Sequence, residues 1–368
     1  MRILQVGKFP QEFSGGVERA VFTLSSELAK EHEVEVVTSS LDRSPKTERS
    51  GNLTCRRLPT WFRLFSTPFS PSLVSHLAAS RCDVVQLSFQ NPLAAAAYLL
   101  ARPQGKLVVW YHHDVIRQRV LGELISPVLS RVLRRADRIV ATSPAYASSS
   151  RALEPFKDKT VVIPLGIDPA PLNAEAELSA GREIRRVCGS PLVLFVGRLV
   201  YYKGLSWLLE AMKGIDARLL VIGSGPLEAE LKAQASHPGL AGKVLFRKVG
   251  HAEPLGRYFH ACDVLALPSS ERTEAFGLVL LEAMACGKPV VTTELGTGTS
   301  YVCQNGVTGL VAPAQDSSAL RQAVRSILSD PGMARRMGEA GRKRMLEQFT
   351  LQGMARSFTG LYQGLLRC

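Results

Sequence analysis

The chain has 368 residues, of which 46% are hydrophobic and 21% are charged, a composition that predicts two folded domains and excludes a disordered or fibrous chain. No stretch reaches the roughly 18 consecutive apolar residues that a membrane-spanning helix needs. A strand-like pattern starts at Arg2, and the sequence before and after it lacks the long apolar region and the cleavage site of a signal peptide. We therefore expect a cytoplasmic protein. The formal net charge of +13 indicates anionic partners, which include phosphorylated substrates, anionic lipid and nucleic acid.

The motifs in the sequence bear on the possible partners and on the role of the cysteines. No nucleic-acid-binding module accompanies the positive charge, so we expect no nucleic acid partner. The seven cysteines are scattered and never form a Cys-x-x-Cys pair, which argues against a disulfide framework or a structural zinc site. A peripheral contact with an anionic membrane remains as one interpretation of the charge, and a solvated face is the other.

The first half of the chain alternates between strand-like and helix-like segments. In chain order, we predict a strand over Arg2–Val6, a helix over Val17–Lys30, strands over Glu33–Thr38, Asp83–Leu87 and Lys106–Tyr111, a helix that includes Val128–Arg135, and a strand over Arg138–Thr142. Repeated β-α-β units of this kind indicate a parallel sheet covered by helices on both faces.

The alternation breaks near Val161, and we predict that the proline-rich and charged residues up to Gly189 form a linker. It restarts with a strand over Leu192–Val196, a helix around Ser206–Met212, and strands over Arg218–Ile222, Lys243–Phe246, Val264–Leu267 and Pro289–Thr292. This pattern predicts an α/β protein with two Rossmann-like, doubly wound parallel-sheet domains facing a cleft, over residues 1–168 and 169–351. We expect a C-terminal helix, about residues 352–368, to pack back on the first domain.

The most informative segment runs from Pro268 to Val291. A strand ends at Pro268, and after a polar loop Gly277 begins an apolar helix that Gly287 ends. The free N–H groups and the dipole at such a helix N-terminus favour an anion. Glu274 lies just before this helix and Glu282 lies within it, where a buried carboxylate needs a partner such as a sugar or ribose hydroxyl.

A second segment, Leu194–Gly204, runs from a strand into a turn with two cations, Arg198 and Lys203. Two fixed cations at the carboxyl end of a strand suit a pyrophosphate leaving group when no metal ion assists. The sequence contains no Asp-x-Asp, the acidic pair typical of metal-dependent transferases. The alternative is that Arg198 and Lys203 only form surface salt bridges.

The Glu-x7-Glu pattern of Glu274 and Glu282, with its Phe-Gly and Glu-Ala-Met-Ala-x-Gly-x-Pro-Val-Val surroundings, resembles retaining glycosyltransferases of family 4, which have the GT-B fold. Gly197-Arg198, Lys203-Gly204, residues 222–227 and Gly15-Gly16 fit the same family in the same order. The resemblance covers almost the whole chain and implies a nucleoside-diphosphate sugar donor, a retaining and metal-independent transfer, and no cofactor.

The resemblance also implies a role for each matched residue. Glu274 and His112 would be catalytic, with Glu274, Ala275 and Phe276 at the donor sugar; Arg198, Lys203, Gly277, Leu278, Val279 and Gly16 would bind the diphosphate; Glu282, Gly223 and Val249 would bind the nucleotide; and Gly15 with Gly16 would form an acceptor or phosphate loop. His113 competes with His112, and for either the alternative is a histidine bonded to nearby backbone. Asp114 is expected to orient one imidazole.

The segments Trp110–Gln118 and Ser66–Pro71 are more narrowly similar to bacterial mannosyl- and rhamnosyltransferases of lipopolysaccharide O-chain or polysaccharide synthesis. This implies GDP-mannose or GDP-rhamnose as donor and a glycan or polyprenyl-diphosphate-linked glycan as acceptor. A UDP-sugar-dependent transferase with another acceptor, a phosphorylase or glycogen-synthase-like enzyme, and a non-catalytic nucleotide-sugar-binding protein are the alternatives. A dinucleotide-dependent oxidoreductase is disfavoured, since Gly223-Ser224-Gly225-Pro226 lacks the Gly-x-Gly-x-x-Gly spacing.

Two basic segments are candidates for a surface contact. The segment Arg56–Phe65 interleaves arginines with aromatic residues, and a second cluster contains Arg131, Arg134, Arg135 and Arg138. The first segment suits a lipid interface, with rings among the headgroups and arginines on phosphates. The alternative is that Trp61 and Phe62 pack beneath an irregular loop while the arginines are solvated.

Overall fold

The fold is described from a computed structural model that covers residues 1–10, 15–40, 42–64, 67–89, 91–114, 119–250 and 253–367. The chain folds into two compact units. The first unit contains Met1–Leu165 and the C-terminal residues from Leu351, and the second contains Gly166–Thr350. The sequence-based boundaries, after residue 168 and near residue 352, lie close to these divisions.

The first unit has a mixed sheet of eight strands, in the order β10-β9-β8-β7-β1-β2-β4-β3, in which the pairing of β3 with β4 is antiparallel and the others are parallel. β5 and β6 form a separate antiparallel hairpin. The elements are β1 Arg2–Val6, α1 Gly16–Leu28, β2 Glu33–Ser39, β3 Lys46–Ser50, β4 Leu53–Leu58, β5 Phe62–Leu64, β6 Thr67–Phe69, α2 Ser72–Ala79, β7 Val84–Ser88, α3 Pro92–Ala101, β8 Lys106–Tyr111, α4 Arg119–Arg135, β9 Arg138–Ala141, α5 Pro144–Ser149 and β10 Thr160–Val162.

The second unit has a fully parallel sheet of six strands, in the order β13-β12-β11-β14-β15-β16. Its elements are α6 Glu175–Cys188, β11 Leu192–Val196, α7 Leu205–Met212, β12 Arg218–Ile222, α8 Glu228–Ala235, β13 Val244–Arg247, α9 Gly256–Ala261, β14 Val264–Leu267, α10 Leu278–Ala285, β15 Val290–Glu294, α11 Gly298–Val302, β16 Gly309–Pro313, α12 Ser317–Ser329 and α13 Pro331–Gln348. Central strands such as β11 and β14 are buried along their whole length, as expected for parallel strands covered on both faces. The predicted doubly wound α/β architecture is confirmed in both units.

The final helix, α14 (Leu351–Arg367), belongs to the first unit. Gln5 of β1 and Gln86 of β7 lie opposite each other in the sheet, and the buried Tyr362 hydroxyl of α14 donates a hydrogen bond to the Gln86 side-chain oxygen. Phe358 of α14 meets Trp110 of β8 edge to face, with ring centroids 5.0 Å apart. These interactions hold α14 against one face of the sheet.

The predicted linker over residues 161–189 is wrong for most of its length. Val161 lies in β10, and residues 175–188 form α6, which packs along α9. Gly181 permits this close approach, since a Cβ there would lie 2.7 Å from Cβ of His260. The Glu177 carboxylate is buried and accepts from the Arg257 guanidinium at 2.7 Å, so a segment that looks polar along the sequence has its charge neutralised within the fold.

The described part of the chain contains no helix that is both long enough and apolar enough to span a bilayer.

Candidate functional site

In the second unit, glycines bring the loops at the carboxyl ends of neighbouring strands close together. A Cβ at Gly223, after β12, would lie 1.9 Å from the carbonyl oxygen of Gly197, after β11. A Cβ at Gly204 would lie 2.0 Å from the carbonyl oxygen of Pro268, which follows β14, and Gly204 has a φ of 66°. Only glycine fits both positions without displacing backbone. The loops that carry the predicted donor-binding residues therefore converge on one edge of the sheet.

At this edge Lys203 and Glu274 form a largely buried ion pair. The Lys203 ammonium donates to the Glu274 carboxylate, which also accepts from the Ser269 hydroxyl at 3.2 Å. Thr297 donates to the Glu274 backbone carbonyl at 2.8 Å and so fixes the loop. Burial alone would lower the pKa of Lys203, but the adjacent Glu274 carboxylate outweighs burial and the pKa is raised. Lys203 therefore holds its charged form.

Helix α10 begins next to this pair, as the sequence predicts. Gly277 precedes it with a φ of 81°, and the N–H groups of Leu278 and Val279 lie in its first turn, where no carbonyl within the helix can accept from them. Glu282 is 3% exposed within the helix. The arrangement offers free N–H donors and a helix dipole to an anion at the edge of the sheet.

Arg198 is exposed and makes no ion pair with the described residues. Lys203, by contrast, has its charge paired in the interior. The interpretation in which both residues serve only as surface salt bridges is therefore wrong. Arg198 presents a guanidinium at the end of β11, where it is available to a ligand phosphate.

The remaining predicted donor-binding residues differ in burial and in their contacts, and they are Ala275, Phe276 and Val249. Phe276 is buried and meets Phe349 edge to face at 6.1 Å, so its ring belongs to the core. The Ala275 carbonyl accepts from the Gly298 N–H at 2.7 Å. Val249 is partly buried in the loop after β13. Residues 115–118 and Ser66, which belong to the segments that carry the narrower resemblance, lie outside the described residues.

In the first unit, His112 and His113 follow β8 at the carboxyl edge of the sheet. His112 is 2% exposed, its ring lies 4.5 Å from that of Trp110, and neither ring nitrogen has a hydrogen-bond partner among the described residues. Burial, with a smaller contribution from His113, lowers the pKa of His112 to about 3. His112 is therefore a neutral imidazole whose two buried nitrogens have no partner among the described residues.

His113 differs from His112 in its bonding. Its Nδ1 lies 3.0 Å from the backbone carbonyl of Asp114, which is the backbone-bonded alternative considered from the sequence. Burial lowers the pKa of His113, and the Asp114 carbonyl partly opposes that effect. The Asp114 carboxylate accepts from the hydroxyls of Tyr111 and Ser150, each at 2.7 Å. The hydrogen bond observed between His113 and Asp114 thus goes to backbone.

Gly15 and Gly16 lie at the start of α1, after residues 11–14, which are outside the described part of the chain. A Cβ at Gly15 would lie 1.9 Å from the Glu18 carboxylate, so the chain approaches that side chain closely. Lys8, which sequence reasoning missed, lines a small cavity here with Glu18 and Ser88. Burial lowers the pKa of Lys8, and Glu18 opposes it. The sequence signal for Lys8 was its position as a cation two residues after the first strand, β1, ends at Val6.

Among the described residues, no group of three or more histidine, cysteine, aspartate or glutamate side chains is arranged to hold a metal ion.

Comparison with known proteins gives consistent results. Residues 14–171 match Glycosyltransferase Family 4, and residues 182–344 match Glycosyl transferases group 1. The O-antigen chain mannosyltransferase C of Escherichia coli is 34% identical, with 100% of this chain and 99% of the relative covered. The D-rhamnosyltransferase WbpZ of Pseudomonas aeruginosa is 37% identical, with 95% of this chain and 92% of the relative covered. Among solved structures, a sucrose-phosphate synthase from Thermosynechococcus elongatus superposes with a TM-score of 0.83, at 26% identity over 100% of this chain and 99% of that chain.

Proposed function

Because the chain belongs to glycosyltransferase family 4 and has the GT-B fold, we propose that it transfers mannose or D-rhamnose from a GDP-sugar to a glycan, with the anomeric configuration retained. The acceptor is a growing or polyprenyl-diphosphate-linked glycan of a cell-surface polysaccharide. The names of the two relatives support the sugar and the acceptor, since one is an O-antigen mannosyltransferase and the other a D-rhamnosyltransferase.

The observation that carries this proposal is the Lys203–Glu274 pair at the start of α10. The pair lies at the carboxyl edge of the parallel sheet, and Glu274 is three residues before Gly277. Arg198 is exposed nearby in the chain, after β11. Arg198, Lys203 and the first-turn N–H groups of α10 supply positive charge and donors to a departing diphosphate. Charge stabilisation of this kind replaces a divalent cation, and we propose a metal-independent reaction on that ground.

In the proposed reaction, the bond between the sugar's anomeric carbon and the diphosphate oxygen breaks while the acceptor hydroxyl oxygen bonds to the same face of that carbon. The acceptor proton goes to the departing phosphate oxygen, so no separate base is needed. Glu274 binds the donor sugar and stabilises the positive charge that develops on its ring. Neutral His112 accepts from, or donates to, a sugar hydroxyl through its unpartnered nitrogens.

Peripheral contact with an anionic membrane is a further part of the proposal. Arg131, Arg134 and Arg135 of α4, and Arg138 after it, are all exposed. Arginines grouped in this way attract the headgroups of an anionic leaflet. Such a contact would place the enzyme at the cytoplasmic face of the membrane, beside a lipid-linked acceptor.

The donor site is tested by thermal unfolding with GDP, UDP and ADP, each with and without a chelator. A nucleotide at about 100 times its Kd adds roughly 2.7 kcal/mol to the free energy of unfolding of the unit that binds it. We expect GDP to stabilise the wild type in chelator and to stabilise Arg198→Ala far less. Arg182→Ala, an exposed arginine on α6 of the same unit, is the matched control and should respond like wild type. A preference for UDP would support the alternative donor, and equal responses of both variants would contradict the role of Arg198.

A further inference from the structure

Two neighbouring aromatic side chains on the β5–β6 hairpin are exposed. Trp61 is 62% and Phe62 is 54% exposed, and they are the aromatic members of the set of large exposed hydrophobic side chains in the described chain. The alternative in which they pack beneath a loop is therefore wrong. Large apolar side chains that are exposed next to each other mark an interaction site more often than single ones do.

The hairpin is attached to the carboxyl edge of the first unit's sheet. The Thr60 hydroxyl donates to the Ser40 carbonyl at 2.7 Å, and the Ser70 hydroxyl donates to that of Ser39 at 3.0 Å, both at the end of β2. On its other side, the Arg63 guanidinium lies 5.7 Å from the ring centroid of Phe9, which is the residue after Lys8. The aromatic pair thus belongs to the edge of the sheet at which His112 and Lys8 lie.

The hairpin also holds the Phe62 ring and the Trp61 backbone in place. Phe62 pairs with Phe69 across the two strands, and their rings stack with centroids 4.7 Å apart and planes 25° from parallel. The Trp61 N–H donates to the Phe69 carbonyl at 2.9 Å. A preoriented aromatic surface loses little conformational entropy when a ligand stacks on it.

The cations on both sides of the pair have partners within the protein, which favours a sugar over a lipid surface, and Arg63, next to Phe62, lies over the Phe9 ring. Arg56 binds the Glu35 carboxylate at 2.8 Å and Arg57 binds that of Glu48 at 3.3 Å, so the two arginines that precede the rings are engaged within the sheet. An anionic headgroup would need those cations. A pyranose needs an aromatic face, because its axial C–H groups carry partial positive charge and pack on the electron-rich ring.

We propose that Trp61 and Phe62 form an acceptor subsite, on which a pyranose ring of the acceptor glycan stacks. This inference rests on the proposed function, since it names a binding site for the acceptor of that reaction.

The test compares Trp61→Ala, Trp61→Phe and Leu100→Ala, the last being an exposed apolar side chain of the same unit and the matched control. Mannotriose is the acceptor probe, and transfer from GDP-mannose is the assay. We expect Trp61→Ala to raise KM for mannotriose at least tenfold while KM for GDP-mannose and the rate of donor hydrolysis stay unchanged. Trp61→Phe should recover most of the affinity, and Leu100→Ala should match wild type. An unchanged KM in Trp61→Ala would overturn the proposal.

A binding measurement separates this proposal from the proposed function. Saturation-transfer NMR with mannotriose and no donor should show transfer from the wild type to the pyranose ring protons of mannotriose. This transfer should be absent with Trp61→Ala, even if GDP-mannose proves to be the wrong donor. Absence of transfer in wild type, or equal transfer in both proteins, would overturn the subsite. So would loss of binding to phosphatidylglycerol vesicles in Trp61→Ala with unchanged mannotriose binding, which would assign the pair to a membrane.

Discussion

Lys203 and Glu274 are 71 positions apart in the chain and form an ion pair at the edge of one sheet. The sequence suggests separate tasks for them, a cation for the diphosphate and an acid for the sugar. A buried ion pair adds little net stability, because the cost of removing both charges from water offsets their attraction. Its position beside the free N–H groups of α10 is more consistent with a binding role than with a structural one.

The neutral state of His112 is the clearest prediction for a single residue. In the unfolded chain the imidazole binds its proton near the ordinary pKa of 6.5, whereas in the native protein burial lowers the pKa to about 3. Between these values the unfolded state binds the extra proton, so stability falls as pH falls, by about 1.4 kcal/mol per pH unit. NMR of the ring Cε1–Hε1 group, assigned with His112→Gln, should show a neutral ring at pH 5. A midpoint near 6.5 would contradict the buried, neutral imidazole.

Helix α14 depends on a buried polar contact with the sheet of the first unit. Burial raises the pKa of the Tyr362 hydroxyl, which remains a donor to Gln86. Tyr362→Phe removes that donor and leaves the Gln86 oxygen unsatisfied, which should lower the free energy of unfolding by about 1–3 kcal/mol. Denaturant unfolding measures this, with Leu366→Ala, an exposed residue of the same helix, as a control expected within about 0.5 kcal/mol of wild type. Equal stability of Tyr362→Phe and wild type would mean that the hydrogen bond does not anchor the helix.

Elements with strong periodicity were predictable from sequence, and those without it were not. The strands Leu192–Val196 and Arg218–Ile222 were predicted at their observed bounds because, apart from the exposed Arg218, apolar residues fill both faces. Strand β3 is exposed throughout and has no apolar pattern, so it was missed. Helix α6 was interpreted as linker because the partners of its charged residues, such as Arg257 for Glu177, lie far along the chain.

In the candidate site, too, features set by neighbouring residues were predictable, and contacts between residues far apart in the chain were not. The start of α10 at Gly277 and the position of Arg198 follow from local pattern. The sequence left open whether His112 or His113 is the active-site residue. The two differ in their partners, because the His112 ring lies tilted against that of Trp110 and His113 bonds to backbone. The ion pairs of Arg56 and Arg57 join residues on different strands, so no spacing along the chain could have revealed them.

At the scale of the whole molecule, the net charge of +13 bears on membrane binding through the positions of the exposed arginines. The arginines at the end of α4 are exposed, so we expect sedimentation of the protein with phosphatidylglycerol vesicles at low salt and weaker binding as salt screens the charges. Arg134→Ser with Arg135→Ser should reduce this binding. Arg335→Ser with Arg336→Ser, an equal change of charge on α13, should reduce it less. Equal losses would indicate attraction by net charge alone, without a defined membrane-facing surface.

The central claim is that glycosyl transfer depends on the carboxylate that Lys203 holds at the start of α10. The most direct test is release of GDP from GDP-mannose in the presence of mannotriose and chelator by wild type, Glu274→Gln and Glu230→Gln, the last being an exposed acid on α8 of the same unit. We predict a fall in kcat of about 100-fold or more for Glu274→Gln, as expected when a preorganised charge is lost from a transition state, and none for Glu230→Gln. A full rate in Glu274→Gln, or an equal loss in both variants, would contradict the account.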